Sequence, residues 1–400
     1  MDSLDYTPLR LKKHEERRLL AGHAWVFSNE VDTAATPIRD LAPGQPVLIE
    51  DHRGKAIGTG YANPRSLICA RLMSRDKAHP FSASLLVHRL KVALSLRERL
   101  FPEPFYRLAY AESDGLPGLV VDRYGDVLAA QVTTAGMEVM QDAILEALSK
   151  VVHPKAVLWR NDSPVRELEG LDLYVRPALG EVPEHVIVSE HGARFHAPLH
   201  SGQKTGWFFD QRDNRAWLAR ISKGMRVLDL FSYVGAWGVQ AALNGAEAVT
   251  CVDASGDALD GVAANAQANG VSDRVSGVKG DVFEVLRQLR EDQARFDVVI
   301  TDPPAFIKRR KDVKEGTAAY RRLNQMALQV MAKDGILIAC SCSQHMEAGS
   351  LEAQIHGAAR HVDRNLQILA RGGQAPDHPV HPAMPETAYL KAVLCRAMQG

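Results

Sequence analysis

The sequence contains neither a long hydrophobic run nor a surplus of charge of one sign. Its 400 residues nowhere approach the ~18 unbroken apolar residues of a membrane helix, which argues against a membrane-spanning protein. Lys and Arg together number 48, and so do Asp and Glu, which excludes a polycation that holds nucleic acid by bulk attraction. Any nucleic-acid binding must therefore come from local basic patches.

Cysteine is also scarce, and its number is odd. The chain has five cysteines and no CxxC pair, a pattern that gives no disulfide framework and indicates reduced thiols. They are Cys69, Cys251, Cys340, Cys342 and Cys395. Residues 1–20 lack the apolar core and the small-residue cleavage site of a secretory signal. We therefore expect a cytoplasmic protein with no membrane partner.

The length and the changing pattern of the chain predict three domains, since 400 residues exceed one core. Short strands broken by turns come first, then a helix and a mixed α+β pattern, and then regular alternation of strands and helices. The predicted domains are a small β-barrel-like module over residues 1–75, a linker helix with a central α+β domain over residues 76–185, and a Rossmann-like α/β domain over residues 186–400.

The last domain alternates strands with helical patterns. Five strands are predicted there, at residues 226–231, 248–253, 275–281, 296–302 and 335–341. Such alternation gives a parallel sheet with helices on its faces, and these sheets bind ligands at the carboxyl ends of their strands. The functional side chains should therefore lie along that edge.

An aspartate lies at the end of each of the first four strands. These residues are Asp229, Asp253, Asp281 and Asp302. The first strand leads into a loop with Gly235 and Gly238, which would let backbone amides approach a ligand. The loop lacks GxGxxG, and the acid before it suits a cationic or zwitterionic ligand better than a pyrophosphate.

The order of these acids matches the parts of S-adenosylmethionine. Asp253 is placed to accept both hydroxyls of a ribose, and Asp281 to accept the exocyclic amine of an adenine. Any single aspartate could instead be a solvated helix N-cap, but the ordered set favours the cofactor. The expected cofactor-binding residues are Asp229, Phe231, Ser232, Gly235, Asp253, Ala254, Ser255, Gly280, Asp281, Val282, Asp302 and Pro303.

Asp302 begins a segment that is suited to hold a planar base. The two prolines after it stiffen the backbone and remove amide donors, and Phe306 can stack on a substrate ring. Cys342 lies just past the fifth strand, so its thiol should enter the same crevice as a nucleophile. Cys340 lies deeper in an apolar strand, where burial suppresses the thiolate. The other three cysteines are expected to be inert buried residues.

A zinc site at this strand end is the alternative to a nucleophilic thiol. Cys340, Cys342 and His345 are close enough in sequence to supply three ligands. No fourth ligand is nearby, and catalytic zinc usually draws its ligands from separated segments. We therefore expect no metal.

Eight short segments carry a family resemblance that covers nearly the whole chain. They are AWVFS (24–28), ESDGLPGL (112–119), GQKTG (202–206), DQR (210–212), DPP (302–304), SCS (341–343), DHP (377–379) and YLK (389–391). In these segments the chain resembles the large-subunit ribosomal RNA methyltransferase I family. The resemblance implies an N-terminal RNA-binding PUA domain, a central α+β domain and a class I methyltransferase domain.

The same resemblance implies a reaction and the residues that perform it. Members of the family methylate cytosine at carbon 5 in 23S rRNA, which implies Cys342 as the nucleophile and Asp302 as the acid that contacts the base. The resemblance is also compatible with a homodimer.

The chemistry of the ring explains the need for a nucleophile. Carbon 5 of cytosine is too weakly nucleophilic to take a methyl group unaided, so a thiolate adds at carbon 6 while an acid such as Asp302 assists at the ring nitrogen. Other RNA cytosine-5 methyltransferases have a second cysteine after the proline of the fourth-strand motif, where this chain has Pro304 followed by Ala305. The group that removes the carbon 5 proton is therefore left unassigned, and water is one candidate.

Two basic segments are candidates for contacts with RNA phosphates. Lys12 and Lys13 lie in a run that is interleaved with glutamates, for which a solvated face is an equal alternative. The second basic segment consists of Lys308, Arg309 and Arg310 and directly follows the segment that lines the predicted crevice. This position favours contact with RNA.

Two rival functions fit parts of the sequence. A guanine N-methyltransferase shares an acid-Pro-Pro-aromatic loop but needs no cysteine, so Cys342 argues against it. A non-catalytic RNA-binding or ribosome-assembly protein could keep the fold without turnover. The acids at the cofactor strand ends argue against that function.

Overall fold

The computed structural model describes residues 6–76 and 78–400. Residues 1–5, which belong to the N-terminal segment where no secretory signal is expected, lie outside the described residues. The chain divides into two compact units. Unit 1 consists of the residues up to Val186 with Pro198–Trp207 and Pro376–Thr387, and unit 2 consists of Ile187–Ala197, Phe208–Ala375 and Ala388–Gly400. In the described part of the chain, no helix is long and apolar enough to cross a membrane.

The first sheet of unit 1 is a small barrel-like module. Its strands are β1 (Thr7–Arg10), β2 (Trp25–Phe27), β3 (Gln45–Glu50), β4 (Ala56–Ala62) and β5 (Ile68–Ser74), with helix α1 (Glu16–Leu20) after β1. The order β1-β3-β4-β5-β2 leaves β1 and β2 at the edges. Leu11, just after β1, forms an isolated antiparallel β-bridge with Val31, which follows β2. Both side chains are buried in the core. The predicted β-barrel-like module is thus confirmed.

A linker helix and a second sheet complete most of unit 1. Helix α2 (Ala83–Leu100) begins where the Ser82 hydroxyl accepts a hydrogen bond from the Leu85 N–H. The second sheet has the order β10-β9-β8-β7-β6. Its elements are β6 (Phe105–Tyr110), β7 (Leu119–Tyr124), β8 (Val127–Val132), α3 (Ala135–Val139), α4 (Gln141–Val152), β9 (Ala156–Asn161) and β10 (Tyr174–Leu179). Helices α3 and α4 follow each other directly and are separated at Met140.

Two of the family-like segments meet around Arg97 in unit 1. This fully buried guanidinium donates to both carboxylate oxygens of Asp114, at 2.6 and 2.7 Å, and to the Asp377 carbonyl at 2.8 Å. The Asp377 carboxylate accepts from the Arg107 N–H at 2.9 Å. Because a buried guanidinium is costly unless it is paired, these two segments serve the packing of unit 1.

Unit 2 is built on a seven-stranded sheet of order β15-β14-β13-β16-β17-β19-β18. A hairpin of β11 (His185–Glu190) and β12 (Ala193–Pro198) and the short helices α5 (Arg212–Arg215) and α6 (Leu218–Ile221) precede the sheet in the chain. The sheet and its helices are β13 (Arg226–Leu230), α7 (Ala236–Leu243), β14 (Ala248–Asp253), α8 (Gly256–Ala268), β15 (Val275–Lys279), α9 (Val282–Glu291), β16 (Phe296–Thr301), α10 (Val313–Gln329), β17 (Met331–Ser341), α11 (Ala348–His361), β18 (Arg364–Gly373) and β19 (Lys391–Gln399).

The central strands of this sheet are buried on both faces, which explains their nearly continuous apolar sequences. Val298, Val299 and Ile300 of β16 and Leu337 and Ile338 of β17 are at most 1% exposed. Strands β13 to β17 run parallel, so the predicted Rossmann-like arrangement is confirmed. The antiparallel strands β18 and β19 were not predicted.

Candidate active site

The predicted strand ends meet at one edge of the sheet of unit 2. Because β13 to β17 are parallel, the order β15-β14-β13-β16-β17 places Asp281, Asp253, Asp229, Asp302 and Cys342 successively along this edge. The order in which strands join the sheet reverses between β13 and β16. Open α/β sheets bind their ligands at such a reversal.

Asp302 is held by two side-chain donors from other parts of unit 2. Its Oδ1 accepts from Gln211 Nε2 at 2.9 Å, and its Oδ2 accepts from Trp237 Nε1 at 3.0 Å. Gln211 ends a short 3-10 helix, and Trp237 lies in the first turn of α7. Neither donor was predicted as a site residue, although residues 210–212 belong to the family-like segments.

A buried ion pair in unit 2 interacts electrostatically with Asp302. Arg215 is 1% exposed and donates to both carboxylate oxygens of Glu190, at 2.5 and 2.7 Å. Burial would lower the pKa of Arg215, but Glu190 and the charges of Asp210 and Asp302 raise it above its ordinary value. The guanidinium therefore stays charged within this buried part of unit 2.

Asp229 lies beneath the loop between β13 and α7 and is 0% exposed. Its Oδ2 accepts from the Gly238 N–H at 2.9 Å, whereas its buried Oδ1 has no hydrogen-bond partner among residues 6–76 and 78–400. Burial, together with the charges of Asp302 and Asp253, raises the pKa of Asp229 to about 8, and the Gly238 hydrogen bond opposes this rise. A cationic ligand beside the carboxyl group would offset the cost of ionising it.

The loop above Asp229 has an unusual backbone. Phe231, Tyr233 and Gly235 have positive φ angles of 63°, 49° and 81°. Residues other than glycine adopt such angles only at a steric cost. The hydroxyl of Ser232 is also buried, and no described residue forms a hydrogen bond with it. Backbone strain beside an orphaned buried polar atom is typical of a ligand-binding loop.

The remaining two acids have backbone partners. Asp253 accepts from the N–H groups of Tyr233 and Ser255, both at 2.9 Å. Asp281 Oδ1 accepts from two N–H groups in the first turn of α9, at 2.9 and 3.2 Å. Asp281 is therefore a helix N-cap, and an adenine contact would have to use its other carboxylate oxygen.

The other predicted cofactor residues lie in the same turns at the sheet edge. Gly280 links two of these turns, since its N–H donates to the Asp253 carbonyl at 3.0 Å. Pro303 is buried directly after Asp302. The structure thus brings together all predicted cofactor residues on the turns after β13, β14, β15 and β16, which include Phe231, Ser232, Gly235, Ala254, Ser255, Gly280, Val282 and Pro303.

Cys342 follows β17 directly and lies beside the segment that begins at Asp302. Its Sγ is 3.8 Å from the carbonyl oxygen of Pro303. Cys342 is partly exposed, whereas the other four cysteines are buried. Burial, with the charge of Asp302, raises the pKa of the Cys340 thiol well above its ordinary value. Cys342 is therefore the thiol that a substrate can reach.

An aromatic cluster fixes the segment after Asp302 against the turn that carries Cys342. The ring of Phe306 lies 4.8 Å from that of Tyr320 and 6.4 Å from that of Phe231. The Tyr320 hydroxyl is 2.9 Å from Ser343 Oγ, which also accepts from the Ile307 N–H at 3.1 Å. Phe306 is only partly exposed, so its ring belongs to this cluster as well as to the predicted base site.

Lys391 was not predicted as a site residue, but it lies at the same strand end. It begins β19 opposite Ser341 of β17. Its Nζ donates to the carbonyl oxygens of Ser343 at 2.6 Å and Tyr389 at 2.9 Å. Burial lowers the pKa of Lys391 to about 8, and the charge of Cys342 opposes this fall.

The predicted RNA-contacting cations are exposed. They are Lys12, Lys13, Lys308, Arg309 and Arg310. Arg309 pairs with Asp312 at 3.1 Å, and Lys12 Nζ donates to the Asn29 carbonyl at 2.8 Å. The first two lysines belong to unit 1, and the other three residues belong to unit 2 beside the segment with Phe306.

Metal ligands are not grouped in the residues that the structure describes. Over residues 6–76 and 78–400, no set of three or more His, Cys, Asp or Glu side chains is arranged to hold a metal ion.

Two family profiles match the chain. A PUA-like domain matches residues 9–75, and an S-adenosylmethionine-dependent methyltransferase matches residues 174–396. Curated relatives match over the full length. The protein named Ribosomal RNA large subunit methyltransferase I in Salmonella arizonae is 37% identical over 399 residues, with 98% of each chain covered. The protein of that name in Klebsiella pneumoniae subsp. pneumoniae is 36% identical over 402 residues, covering 99% of this chain and 100% of the relative.

Solved structures share the fold. A Streptococcus mutans protein proposed to be a SAM-dependent methyltransferase superposes with a TM-score of 0.83 at 23% identity, covering 98% of this chain and 100% of that one. The tRNA m1G37 methyltransferase of M. jannaschii superposes with a TM-score of 0.52 at 16% identity, covering 78% of this chain and 79% of that one. At such identities the likeness shows the fold alone.

Proposed function

Because this chain belongs to the ribosomal RNA large subunit methyltransferase I family, we propose that it methylates carbon 5 of a cytosine in 23S rRNA. S-adenosylmethionine, the cofactor predicted from the strand ends, is the cofactor of the matching methyltransferase family. The observation that carries the cytosine-5 reaction is the position of Cys342. It is the one partly exposed thiol among the five cysteines, and it lies beside the segment that begins at Asp302.

The residues at the sheet edge fit S-adenosylmethionine. The buried Oδ1 of Asp229 and the buried hydroxyl of Ser232 lack hydrogen-bond partners in the described part of the chain, so a polar ligand at this loop would satisfy them. Asp253 is assigned to the ribose hydroxyls and Asp281 to the adenine amine. Each carboxylate already accepts from backbone N–H groups, and it can accept further hydrogen bonds from the ligand. When bound, the cofactor supplies a methyl group on a positively charged sulfur.

The residues of this chain then perform the steps on the base. The Cys342 thiolate forms a bond to carbon 6, and the electron pair of the ring double bond moves as Asp302 passes a proton to the ring nitrogen. Carbon 5 becomes nucleophilic and takes the methyl group. Loss of the carbon 5 proton to a base, for which water remains the candidate, restores the double bond and expels Cys342 as a thiolate. The ring nitrogen returns its proton to Asp302.

Asp302 is well held for this task. Gln211 and Trp237 each donate to one of its carboxylate oxygens, so the carboxyl group cannot rotate freely. A positioned acid contributes to catalysis because the proton it transfers is already within reach of the reacting atom.

RNA binding is assigned to the exposed cations and to the PUA-like domain. The segment that begins at Asp302 is followed directly by Lys308, Arg309 and Arg310. Phosphate contacts at this position would fix the position of the target nucleotide. Lys12 and Lys13 would contribute from the PUA-like domain, and Phe306 would stack on the flipped base. An rRNA substrate implies a cytoplasmic enzyme. The family resemblance is compatible with a homodimer, which light scattering of the purified protein would test.

A covalent trap tests the reaction directly. RNA that carries 5-fluorocytosine cannot lose its substituent as a proton, so the adduct with the nucleophile should accumulate in the presence of cofactor. Cys342→Ala should abolish both the adduct and methylation while it leaves cofactor binding intact. Cys340→Ala is the matched control, because it removes a buried thiol on the same strand, and it should still form the adduct.

The nucleoside products distinguish this reaction from its rivals. Mass spectrometry after incubation of unmodified rRNA with labelled cofactor should find 5-methylcytosine. Continued methylation of cytosine by Cys342→Ala would show that the mechanism is wrong. Methyl transfer to a guanine amine would support the guanine N-methyltransferase, and no transfer at all with intact RNA binding would support the assembly protein.

A further inference from the structure

The proposed reaction requires a thiolate at Cys342, which is only partly exposed, and a negative charge at such a position is disfavoured unless a counter-ion is near. A cation at this strand end would solve the problem. Lys391 lies at the start of β19, and its Nζ donates to the carbonyl oxygen of Ser343 in the turn that carries Cys342. The proposed reaction gives Lys391 no role.

We propose that Lys391 is the counter-ion of the Cys342 thiolate and thereby a positioning residue that keeps the nucleophile ionised near neutral pH. The inference rests on the proposed function for its purpose, because only a nucleophilic Cys342 needs to be ionised. The coupling between the two groups can nevertheless be measured without RNA.

The position of the amine is fixed by the chain on both sides. Nζ donates to the carbonyl oxygen of Ser343, the residue after Cys342, and to the carbonyl oxygen of Tyr389. These bonds use two of the three hydrogens of the ammonium group, or both hydrogens of the neutral amine. What remains is a third N–H in the charged form or a lone pair in the neutral form.

Lys391 has no carboxylate partner in the described chain, since both of its hydrogen bonds go to carbonyl oxygens. A partly buried ammonium group without a counter-ion is destabilised, and burial accordingly lowers the pKa of Lys391 to about 8. The charge that opposes this fall is that of Cys342. Because such coupling is mutual, the ammonium group must also favour the thiolate.

Other titratable groups face this turn from neighbouring elements. Tyr320 of α10 has its pKa raised by burial and feels the charge of the nucleophile. Cys340 of β17 has its pKa raised by burial, and it feels the charges of Asp302 and Asp210 as well as that of the nucleophile. Tyr320 and Cys340 therefore stay neutral at neutral pH and supply no positive charge to a Cys342 thiolate. Lys391 is the group in this turn that can supply it.

The step itself is a proton transfer that needs no co-reactant. The S–H bond of Cys342 breaks and leaves its electron pair on sulfur, and the proton bonds to the lone pair of the Lys391 amine, directly or through water. When product elimination later expels the sulfur as a thiolate, the ammonium group is again its counter-ion.

The pH dependence of thiol alkylation tests the proposal. The intact protein is treated with iodoacetamide from about pH 6 to 10, a range that includes the ordinary thiol pKa, and peptide mass spectrometry follows the label on Cys342. Lys391→Gln removes the charge and keeps a donor. It should raise the apparent pKa of alkylation by about 1 unit and slow alkylation roughly tenfold at neutral pH, since an opposite charge nearby shifts a pKa by at least that much.

Two variants serve as controls. Lys333→Gln removes an exposed lysine at the far end of β17 and should leave the alkylation profile unchanged. Lys391→Arg keeps a permanent positive charge and should keep fast alkylation at neutral pH. It should also lose the titration step that the wild-type lysine contributes near pH 8.

The outcomes decide between a charge effect and a structural anchor. A wild-type alkylation profile in folded Lys391→Gln overturns the proposal, because the amine then only ties two carbonyl groups together. If that variant does not fold, persistence of the step near the lysine pKa of about 8 in Lys391→Arg overturns it instead. Failure of the proposed function is a different result, since Cys342→Ala would then still methylate cytosine while the alkylation shift in Lys391→Gln remains.

Discussion

Trp237 donates its indole N–H to the Oδ2 of Asp302 at 3.0 Å. This hydrogen bond links the first turn of α7, which follows the loop after β13, to the residue that directly follows β16. Since Gln211 donates to the other oxygen of the same carboxylate, the orientation of Asp302 depends on two separate segments of unit 2.

Trp237→Phe should slow methyl transfer without preventing folding, because the ring remains while its donor is lost. A hydrogen bond to a charged group contributes about 1.5 to 3 kcal/mol, which corresponds to roughly tenfold to a hundredfold in kcat. Single-turnover methylation would measure this loss. Trp159→Phe, in the core of unit 1, controls for removal of an indole, and equal rates in the two variants would contradict a role for the contact.

Asp229 should make the ligand-free protein less stable as the pH rises. Burial raises its pKa in the folded protein from 3.8 to about 8. Between these values the folded state holds a proton that the unfolded state has released, so the free energy of unfolding falls from about pH 4 to 8 and levels off above. Asp229→Asn carries no charge at any pH. Its Tm should therefore exceed that of the wild type at alkaline pH and approach it at acidic pH.

The substitution Asp229→Asn should also weaken the binding of S-adenosylmethionine. A positively charged ligand favours the ionised carboxyl group, so wild-type affinity for S-adenosylmethionine should increase as the pH rises through about 8, the pKa of Asp229. Asp229→Asn should lose this dependence. Calorimetric titrations at several pH values would measure both effects, and parallel pH profiles for the two proteins would refute a contact between Asp229 and the positive charge.

The strand ends could be predicted from the sequence because the buried strands leave a clear pattern. Val298, Val299 and Ile300 form a nearly continuous apolar run, and the first acid after that run, Asp302, must lie at the carboxyl end of the strand. Parallel pairing then brings such ends together whatever the details of packing. The positions of Asp302 and Cys342 on adjacent strands follow from this logic.

The partners of these residues could not be predicted in the same way. Gln211 and Trp237 precede Asp302 by 91 and 65 residues, and their contacts depend on how the loops fold back over the sheet. Lys391 reaches Ser343 only because β19 runs antiparallel beside β17, and an apolar strand pattern does not disclose its direction or its neighbour. The N-cap role of Asp281 is local, yet the sequence pattern was also compatible with a free carboxylate.

Asp253→Ala should weaken S-adenosylmethionine binding by about 1.5 to 3 kcal/mol, the range for hydrogen bonds to a charged group. The loss has two sources, since the carboxylate is assigned to the ribose hydroxyls and also accepts from the N–H of Tyr233 in the loop between β13 and α7. Asp253→Asn separates the two contributions, because its amide oxygen can still accept one hydrogen bond. Calorimetry that finds unchanged affinity in a folded Asp253→Ala protein would remove this assignment.

Neutralising Lys308, Arg309 and Arg310 should weaken RNA binding and flatten its dependence on salt. Each phosphate contact that is lost lowers the slope of log K against log salt by about 0.9 for a duplex or 0.7 for a single strand, because fewer counter-ions are released on binding. Arg309 also pairs with Asp312, so its share should be smaller than that of the other two residues.

The matched control for this triple variant carries the same loss of charge at the opposite end of the strands. Arg220, Lys223 and Arg226 are exposed before or at the start of β13, away from the carboxyl edge of the sheet. Their substitution by glutamine should leave the salt slope close to that of the wild type, and neither triple variant should change cofactor affinity. Filter binding across a salt series would measure the slopes. Equal slopes for the two triple variants would mean that residues 308–310 are a solvated face and that another surface holds the RNA.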